Sequence, residues 1–203
     1  MIKYSVIIPT MWFSNKIELI VKNFNSSQFV DEIIIIDNKT ENSIELSHYE
    51  KVIHIKNKKN IFVNPSWNLG VNLSKNENLI ISNDDILIND IDRVLSNKEI
   101  FDCDLVGLDY ENINKNNTVI LKETKKHMER GFGCFLIIKK KSYVNIPEIL
   151  KIWFGDNFLF NKVKNKKMFS CDKIEIELSK TIKNINGVND ILNQDKKNFL
   201  KVL

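Results

Sequence analysis

Three short stretches of this chain carry three or four large aliphatic residues in a row, and each gives way at once to polar ones. They are Tyr4 to Pro9 (YSVIIP), Glu32 to Asp37 (EIIIID) and Asn78 to Ser82 (NLIIS). An apolar run that does not alternate with polar residues describes a strand buried on both faces, the hallmark of a parallel sheet covered by helices. The intervening segments agree. From about Ser14, Ile17, Ile20, Val21 and Phe24 fall on one helical face. Lys51 to Lys56 (KVIHIK) reads as another strand, and Asn64-Pro65 opens a helix with Trp67 and Val71 on one side. The order strand, helix, strand, strand, helix, strand implies an α/β fold with a mostly parallel sheet and helices on both faces. Ligands of such sheets bind beyond the carboxyl ends of the strands. Pro9-Thr10, Asp37-Asn38 and Asn83-Asp84-Asp85 all lie at that edge, so their side chains are expected to converge on one crevice.

The second half is less regular. Strands are expected at Asp104 to Leu108, Thr118 to Leu121, Gly131 to Ile138, Met168 to Cys171 and Ile174 to Leu178. Helices are expected from Gly155 to about Lys164 and from about Val188. With 203 residues, no internal repeat and no Pro/Gly/Ser-rich linker, the expectation is a single domain over 1–203. No run approaches the roughly 20 apolar residues of a membrane span. The start of the chain leads into a strand without a cleavage-site pattern, so no secretory signal is expected. Cys103, Cys134 and Cys171 are odd in number and far apart, which suits free thiols in a reducing compartment. The net charge is +4, and Arg93 and Arg130 are the only arginines. Lysines scattered among asparagines describe a solvated surface, so no nucleic-acid partner is expected.

Several residues could carry chemistry. Strand alternation carried through Asn83-Asp84-Asp85 would put Asn83 and Asp85 on one side and turn Asp84 away. An amide oxygen and a carboxylate together suit Mg²⁺ or Mn²⁺, which take few protein oxygens and complete their shell with water and diphosphate. Asp84 could then meet a ribose or sugar hydroxyl, although Asn and Asp also simply make turns. Asp37 could accept from a pyrimidine N3–H or a ribose hydroxyl, or form a turn or cap. Asp156, in Trp153-Phe154-Gly155-Asp156-Asn157, has an aromatic flank that would partly dry its carboxylate, which suits a general base; it could equally cap the following helix. Gly131-Phe132-Gly133 lacks the third glycine of a dinucleotide loop and precedes a strand, so it reads as a place of close backbone approach to a ligand. His127, in a polar stretch, is expected to be simply exposed.

Taken in order, Ser5-Val6-Ile7-Ile8-Pro9-Thr10, Glu32 to Asn38, Asn64-Pro65-Ser66-Trp67-Asn68-Leu69-Gly70, Ser82-Asn83-Asp84-Asp85, Gly131 to Ile138 and Phe154-Gly155-Asp156-Asn157 resemble the motifs of family 2 glycosyltransferases. The resemblance covers about Ser5 to Phe160. It implies a single-domain, Rossmann-like nucleotide-sugar-binding fold of the A type, with a mostly parallel mixed central sheet flanked by helices. A nucleotide-binding half would occupy about 1–100 and an acceptor-binding half about 101–203. It also implies that Pro9, Thr10, Asp37, Asn38, Asn68, Asn83 and Asp84 bind the nucleotide sugar and that Asp85 binds Mn²⁺ or Mg²⁺. Asp156 would deprotonate the acceptor hydroxyl, with Gly131, Phe132, Gly133 and Trp153 on the acceptor side. The activity implied is inverting transfer of a hexosyl or deoxyhexosyl group from a UDP- or dTDP-sugar to a glycan, lipid-linked or protein-linked acceptor. Two positions depart from the pattern: Asn83 replaces an acidic residue, and Glu177 stands where many relatives have a histidine.

Two rival readings remain. Asp37-Asn38-Lys39-Thr40 after a hydrophobic strand suggests an aspartyl phosphotransferase, but Lys39 occupies the place of that chemistry's second carboxylate. A non-catalytic sugar-nucleotide or glycan-binding module would use the same crevice without turnover. The location expected is cytoplasmic. Ile191, Leu192, Phe199, Leu200 and Leu203 form a stripe that suits either a peripheral membrane contact or packing on the sheet, and packing is favoured.

Overall fold

The computed structural model describes residues 2–39, 44–128, 130–177 and 183–203. The three apolar runs are the middle of its sheet. Strand β1 (Tyr4–Thr10) lies between β2 (Val30–Asp37) and β4 (Asn78–Ser82), both parallel to it, and β3 (Val52–Lys56) extends the sheet beyond β2. Every residue of β1 is buried. Alternation sorts the side chains into two cores. Val6, Ile8, Ile33, Ile35 and Ile80 face helix α1 (Ile17–Ser26) through Ile20, Val21 and Phe24. Ile7, Ile34, Ile36, Leu79 and Ile81 face helix α2 (Val63–Leu73) through Trp67 and Val71. Full burial of each such side chain stabilises by about 1.5–3 kcal/mol, which explains why these strands tolerate no polar alternation. Helix α2 lies so close to the sheet that a Cβ on Gly70 would stand 2.3 Å from Cγ2 of Ile7.

Beyond β4 the direction changes. Strand β5 (Ile86–Ile88) leaves the main sheet, and two short helices, α3 (Ile91–Leu95) and α4 (Lys98–Phe101), lead to β6 (Leu105–Leu108). Strands β7 (Ile120–Glu123) and β8 (Phe135–Lys139) follow, then helix α5 (Gly155–Lys162), β9 (Lys166–Ser170), β10 (Ile174–Ile176) and helix α6 (Val188–Val202). The eight-stranded order is β3-β2-β1-β4-β8-β6-β9-β7, and β10 pairs with β5 in a separate ribbon. Strand β8 is antiparallel to both β4 and β6, while β6 and β9 are parallel. The sheet is therefore mixed but mostly parallel, flanked by helices.

The expected elements largely form, with three differences. The stretch after Gly131 is not strand throughout. Gly131 has φ +82°, and Phe132–Cys134 makes a 3₁₀ turn closed by Cys134 N–H donating to the Gly131 carbonyl at 3.0 Å, so the strand begins at Phe135. The strand expected at Thr118 to Leu121 is displaced to Ile120–Glu123, where it pairs with β9. The strand expected at Ile174 to Leu178 is seen to Ile176, and Leu178 lies outside the described residues.

Candidate active site

The carboxyl ends of β1, β2 and β4 open into a crevice of 690 Å³. One wall, at the strand ends, holds Pro9, Thr10, Asn38, Asn83, Asp84 and Asp85; the far wall holds Gly131, Gly133, Trp153 and Asp156. The strand-end residues thus meet where the parallel sheet predicts.

The acidic turn departs from its expected geometry. Strand β4 stops at Ser82, so the two-residue alternation does not run on through Asn83-Asp84-Asp85. Asn83 does hydrogen bond to Asp85, but Asp84 is not turned away. It also lines the crevice, and its Oδ2 accepts from the Thr10 hydroxyl at 2.6 Å. Both carboxylates are nearly inaccessible, at 5% and 6% exposure. Burial pushes Asp84 up to about 6, with the Thr10 hydrogen bond opposing. Burial, and next the charge of Asp84, pushes Asp85 up to about 7. Oδ1 of Asp85 is buried with no hydrogen-bond partner. A buried carboxylate oxygen without a partner is costly unless something else meets it. A hard divalent cation that keeps most of its shell as water and diphosphate oxygen fits that single donor. Among the described residues, no group of three or more His, Cys, Asp or Glu could hold an ion unaided. Glu177 lies beside the same turn, its N–H donating to the Asp85 carbonyl at 2.9 Å and its carboxylate accepting from Ser14.

Two expected nucleotide-binding residues lie elsewhere. Asp37 is fully buried and does not line the crevice; Oδ2 meets Nε2 of His54 at 3.1 Å and Oδ1 accepts from Lys39 N–H at 2.9 Å. Asn68 points to the opposite side of α2. Its Oδ1 accepts from the Tyr143 hydroxyl and Ile146 N–H, and its Nδ2 donates to the Ile146 carbonyl, so it ties the helix to the 143–146 loop. Position 68 is turned about 100° around the helix from Trp67, and here that turn carries it to the 143–146 loop. Asn38 does reach the wall, fixed by bonds to Ser66, Asn57 and Ile61.

On the far wall, Phe132 is fully buried, filling the space above Gly107, whose Cβ would stand 2.4 Å from the Phe132 ring. Its two glycine neighbours line the crevice instead. Asp156 does not cap α5: the helix begins at Gly155 after Phe154 in the left-handed region (φ 64°), and no side chain caps it. The Asp156 carboxylate, 21% exposed, instead accepts from Nε2 of His127 at 3.0 Å. His127 is therefore not an exposed loop residue; its side chain is 11% exposed, between Phe132 and Phe160. Nothing in the sequence signals this pairing across 29 positions.

Helix α6 completes the far side. Leu192, Asn193 and Lys196 line the crevice, and Phe199 stacks on Phe154 with centroids 5.0 Å apart. Asp195, fully buried, accepts from three consecutive backbone N–H groups, those of Lys151, Ile152 and Trp153, at 2.9, 2.8 and 3.0 Å. The helix is thus packed on the domain through Asp195 and Phe199, although Leu200 and Leu203 of the expected apolar stripe are exposed, and Asp195 holds the segment that carries Trp153 toward the crevice. None of the described helices is long and apolar enough to cross a membrane.

This strand order, with ligand-facing residues at the ends of a mostly parallel sheet and an antiparallel strand inserted beside β4, defines the A-type glycosyltransferase fold. Solved structures of that fold are similar to this chain over most of its length. The TarS 1-349 fragment from S. aureus superposes with a TM-score of 0.60 at 12% identity, covering 96% of this chain and 71% of that one. The same fragment in complex with UDP-GlcNAc gives 0.58 at 13% identity, covering 98% and 72%. The mannosyltransferase PcManGT from Pyrobaculum calidifontis, in complex with GDP-Man and Mn²⁺, gives 0.56 at 12% identity, covering 84% of this chain and 56% of that one. No family model and no curated protein matches the sequence.

Proposed function

We propose that the chain is a metal-assisted, inverting glycosyltransferase that moves a hexosyl or deoxyhexosyl group from a UDP- or dTDP-sugar to a hydroxyl of a glycan, lipid-linked or protein-linked acceptor. One observation carries this reading: a single crevice has Asp85, with an unpartnered oxygen, beside Asp84 and Thr10 on one wall, and the Asp156 carboxylate on the other. Solved neighbours of the same fold in complex with UDP, UDP-GlcNAc and GDP-Man support it.

In this reading Asp85 holds Mn²⁺ or Mg²⁺ together with the donor diphosphate, and Asn83 steadies the Asp85 carboxylate. When bound, the ion supplies positive charge to the departing diphosphate. Asp84, fixed by Thr10, accepts from a hydroxyl of the ribose or sugar, and Pro9 and Asn38 border the nucleoside. Asp156 takes the acceptor's proton as that oxygen attacks the anomeric carbon, so one displacement suffices and inverts the centre. Gly131, Gly133 and Trp153 shape the acceptor side. The protein works in the cytoplasm on this reading.

The test is a thermal-shift screen of nucleotide sugars with and without Mn²⁺, followed by a transfer assay. A donor at a hundredfold excess over its dissociation constant adds about 2.7 kcal/mol of stability. If no nucleotide sugar stabilises the protein with or without Mn²⁺, the reading is wrong.

A further inference from the structure

His127 belongs to no part of the reaction as drawn above, yet it is held at both ring nitrogens beside the far wall. Its ring lies 5.0 Å from Phe132 and 5.3 Å from Phe160, centroid to centroid. Both ring nitrogens have partners, and those partners determine the proton's position. Oδ2 of Asp156, 3.0 Å from Nε2, is a carboxylate oxygen that accepts only. Nδ2 of Asn157, 2.9 Å from Nδ1, is an amide nitrogen that donates only. Nε2 therefore carries the proton and Nδ1 is bare, so the ring is the neutral Nε2–H tautomer. Gly133 makes room for the same carboxylate, since a Cβ there would stand 2.6 Å from Oδ2. The carboxylate is thus gripped through one oxygen, by a ring that aromatic packing and an amide hold still.

We propose that His127 is a positioning residue: with its tautomer set by Asn157, it fixes Oδ2 of Asp156 and leaves Oδ1 to take the acceptor's proton. This inference rests on the transfer reading, because it needs a base at Asp156. A carboxylate held by one oxygen keeps the other aimed at the nucleophile without searching rotamers, and a displacement of around an ångström in such a group costs up to about 10²-fold in rate. His127 touches neither substrate nor metal; it acts through Asp156.

The experiment compares His127→Phe, His127→Gln, Asp156→Asn and the His127→Phe/Asp156→Asn double variant, with ¹⁵N NMR of the wild-type imidazole. His127→Phe keeps the ring packing and removes both hydrogen bonds; His127→Gln restores an N–H donor for Oδ2. The expected result is a fall of about 10- to 100-fold in kcat for His127→Phe with acceptor KM and donor affinity unchanged. His127→Gln recovers part of that loss, the double variant is no slower than Asp156→Asn, and the ring nitrogens report the Nε2–H tautomer. Turnover of His127→Phe within twofold of wild type, a further loss in the Asp156→Asn background, or an Nδ1–H ring would overturn the proposal. A wild-type protein without transfer activity would overturn the transfer reading instead. The NMR arm then still judges the pairing by itself, and an Nδ1–H or doubly protonated ring refutes it.

Discussion

Replacing Asp195 by Asn tests how the far wall is held. The carboxylate accepts from three consecutive backbone N–H groups, one at Oδ1 (Lys151) and two at Oδ2 (Ile152 and Trp153), and the residue is fully buried. Asparagine has the same shape, but only one of its two terminal atoms accepts. Placed to keep the pair from Ile152 and Trp153, it turns its NH₂ toward Lys151 N–H and leaves that donor unsatisfied. The two retained bonds lose their charge assistance as well. One orphaned donor costs about 1–3 kcal/mol, so the expected destabilisation is about 2–3 kcal/mol. At about 2–4 °C per kcal/mol for a chain of this size, the melting temperature should fall by about 4–12 °C. Urea unfolding and calorimetry measure it, with Asp190→Asn, on the exposed side of the same helix, as the control expected to stay within about 0.5 kcal/mol of wild type. Because Trp153 lines the crevice, acceptor KM should rise while donor affinity holds. A variant as stable as the control would refute the reasoning and make the three hydrogen bonds incidental.

Asp156→Asn should lower turnover by roughly 10²–10⁴-fold with donor affinity intact, the scale for losing a general base; near-normal turnover assigns the residue to structure. Gly70→Ala should destabilise by about 1–3 kcal/mol, because the new methyl meets Ile7 and neither the strand nor the helix can retreat; urea unfolding reads this directly. Asp85→Asn should change how stability depends on pH in EDTA. Between 3.8, the unperturbed value, and about 7, the folded protein keeps a proton on Asp85 that the unfolded chain has lost. Wild-type stability therefore falls as pH rises through that window, and the Asn variant should lack that part of the fall. Parallel curves for the two proteins would contradict it.

Much of the strand-end wall can be read from sequence because its geometry is local. Pro9-Thr10, Asn38 and Asn83-Asp84-Asp85 each follow directly on a buried strand, and parallel strands bring their ends to one edge whatever else the chain does. The errors there are errors of direction. Whether Asp84 faces the crevice depends on β4 ending at Ser82, and a burial pattern gives no signal for that boundary. Asp37 and Asn68 have the right types in the right order, yet both are committed to partners far along the chain, His54 for one and the 143–146 loop for the other. The far wall was legible only as a set of candidates. Asp156 stands out in the sequence by its aromatic flank, whereas His127 reads there as an exposed residue and Asp195 carries no signal, because a hydrogen bond across 29 or 44 positions leaves no periodicity to detect.

The two walls are built by different physics, and this bears on how the protein works. The strand-end wall rests on a core of fully buried aliphatic residues, so its carboxylates can be kept dry at a cost that the packing beneath them offsets. Burial there is what raises Asp84 and Asp85, and a bound cation would repay it by meeting the unpartnered oxygen. The far wall packs on buried residues too, among them Phe132, Leu150 and Phe160, but one of its segments depends on distant partners. Segment 151–154 has no regular hydrogen bonding of its own; Asp195 of the last helix takes three of its N–H groups, Phe199 of that helix stacks on Phe154, and Asn64 of α2 donates to the Lys151 and Trp153 carbonyls. Substitutions in α6 should therefore alter the far wall, through Trp153 and Phe154, while leaving the strand-end wall intact. If the far wall receives the acceptor, as proposed, the part of the crevice that has to suit it is one that a few distant residues can reshape.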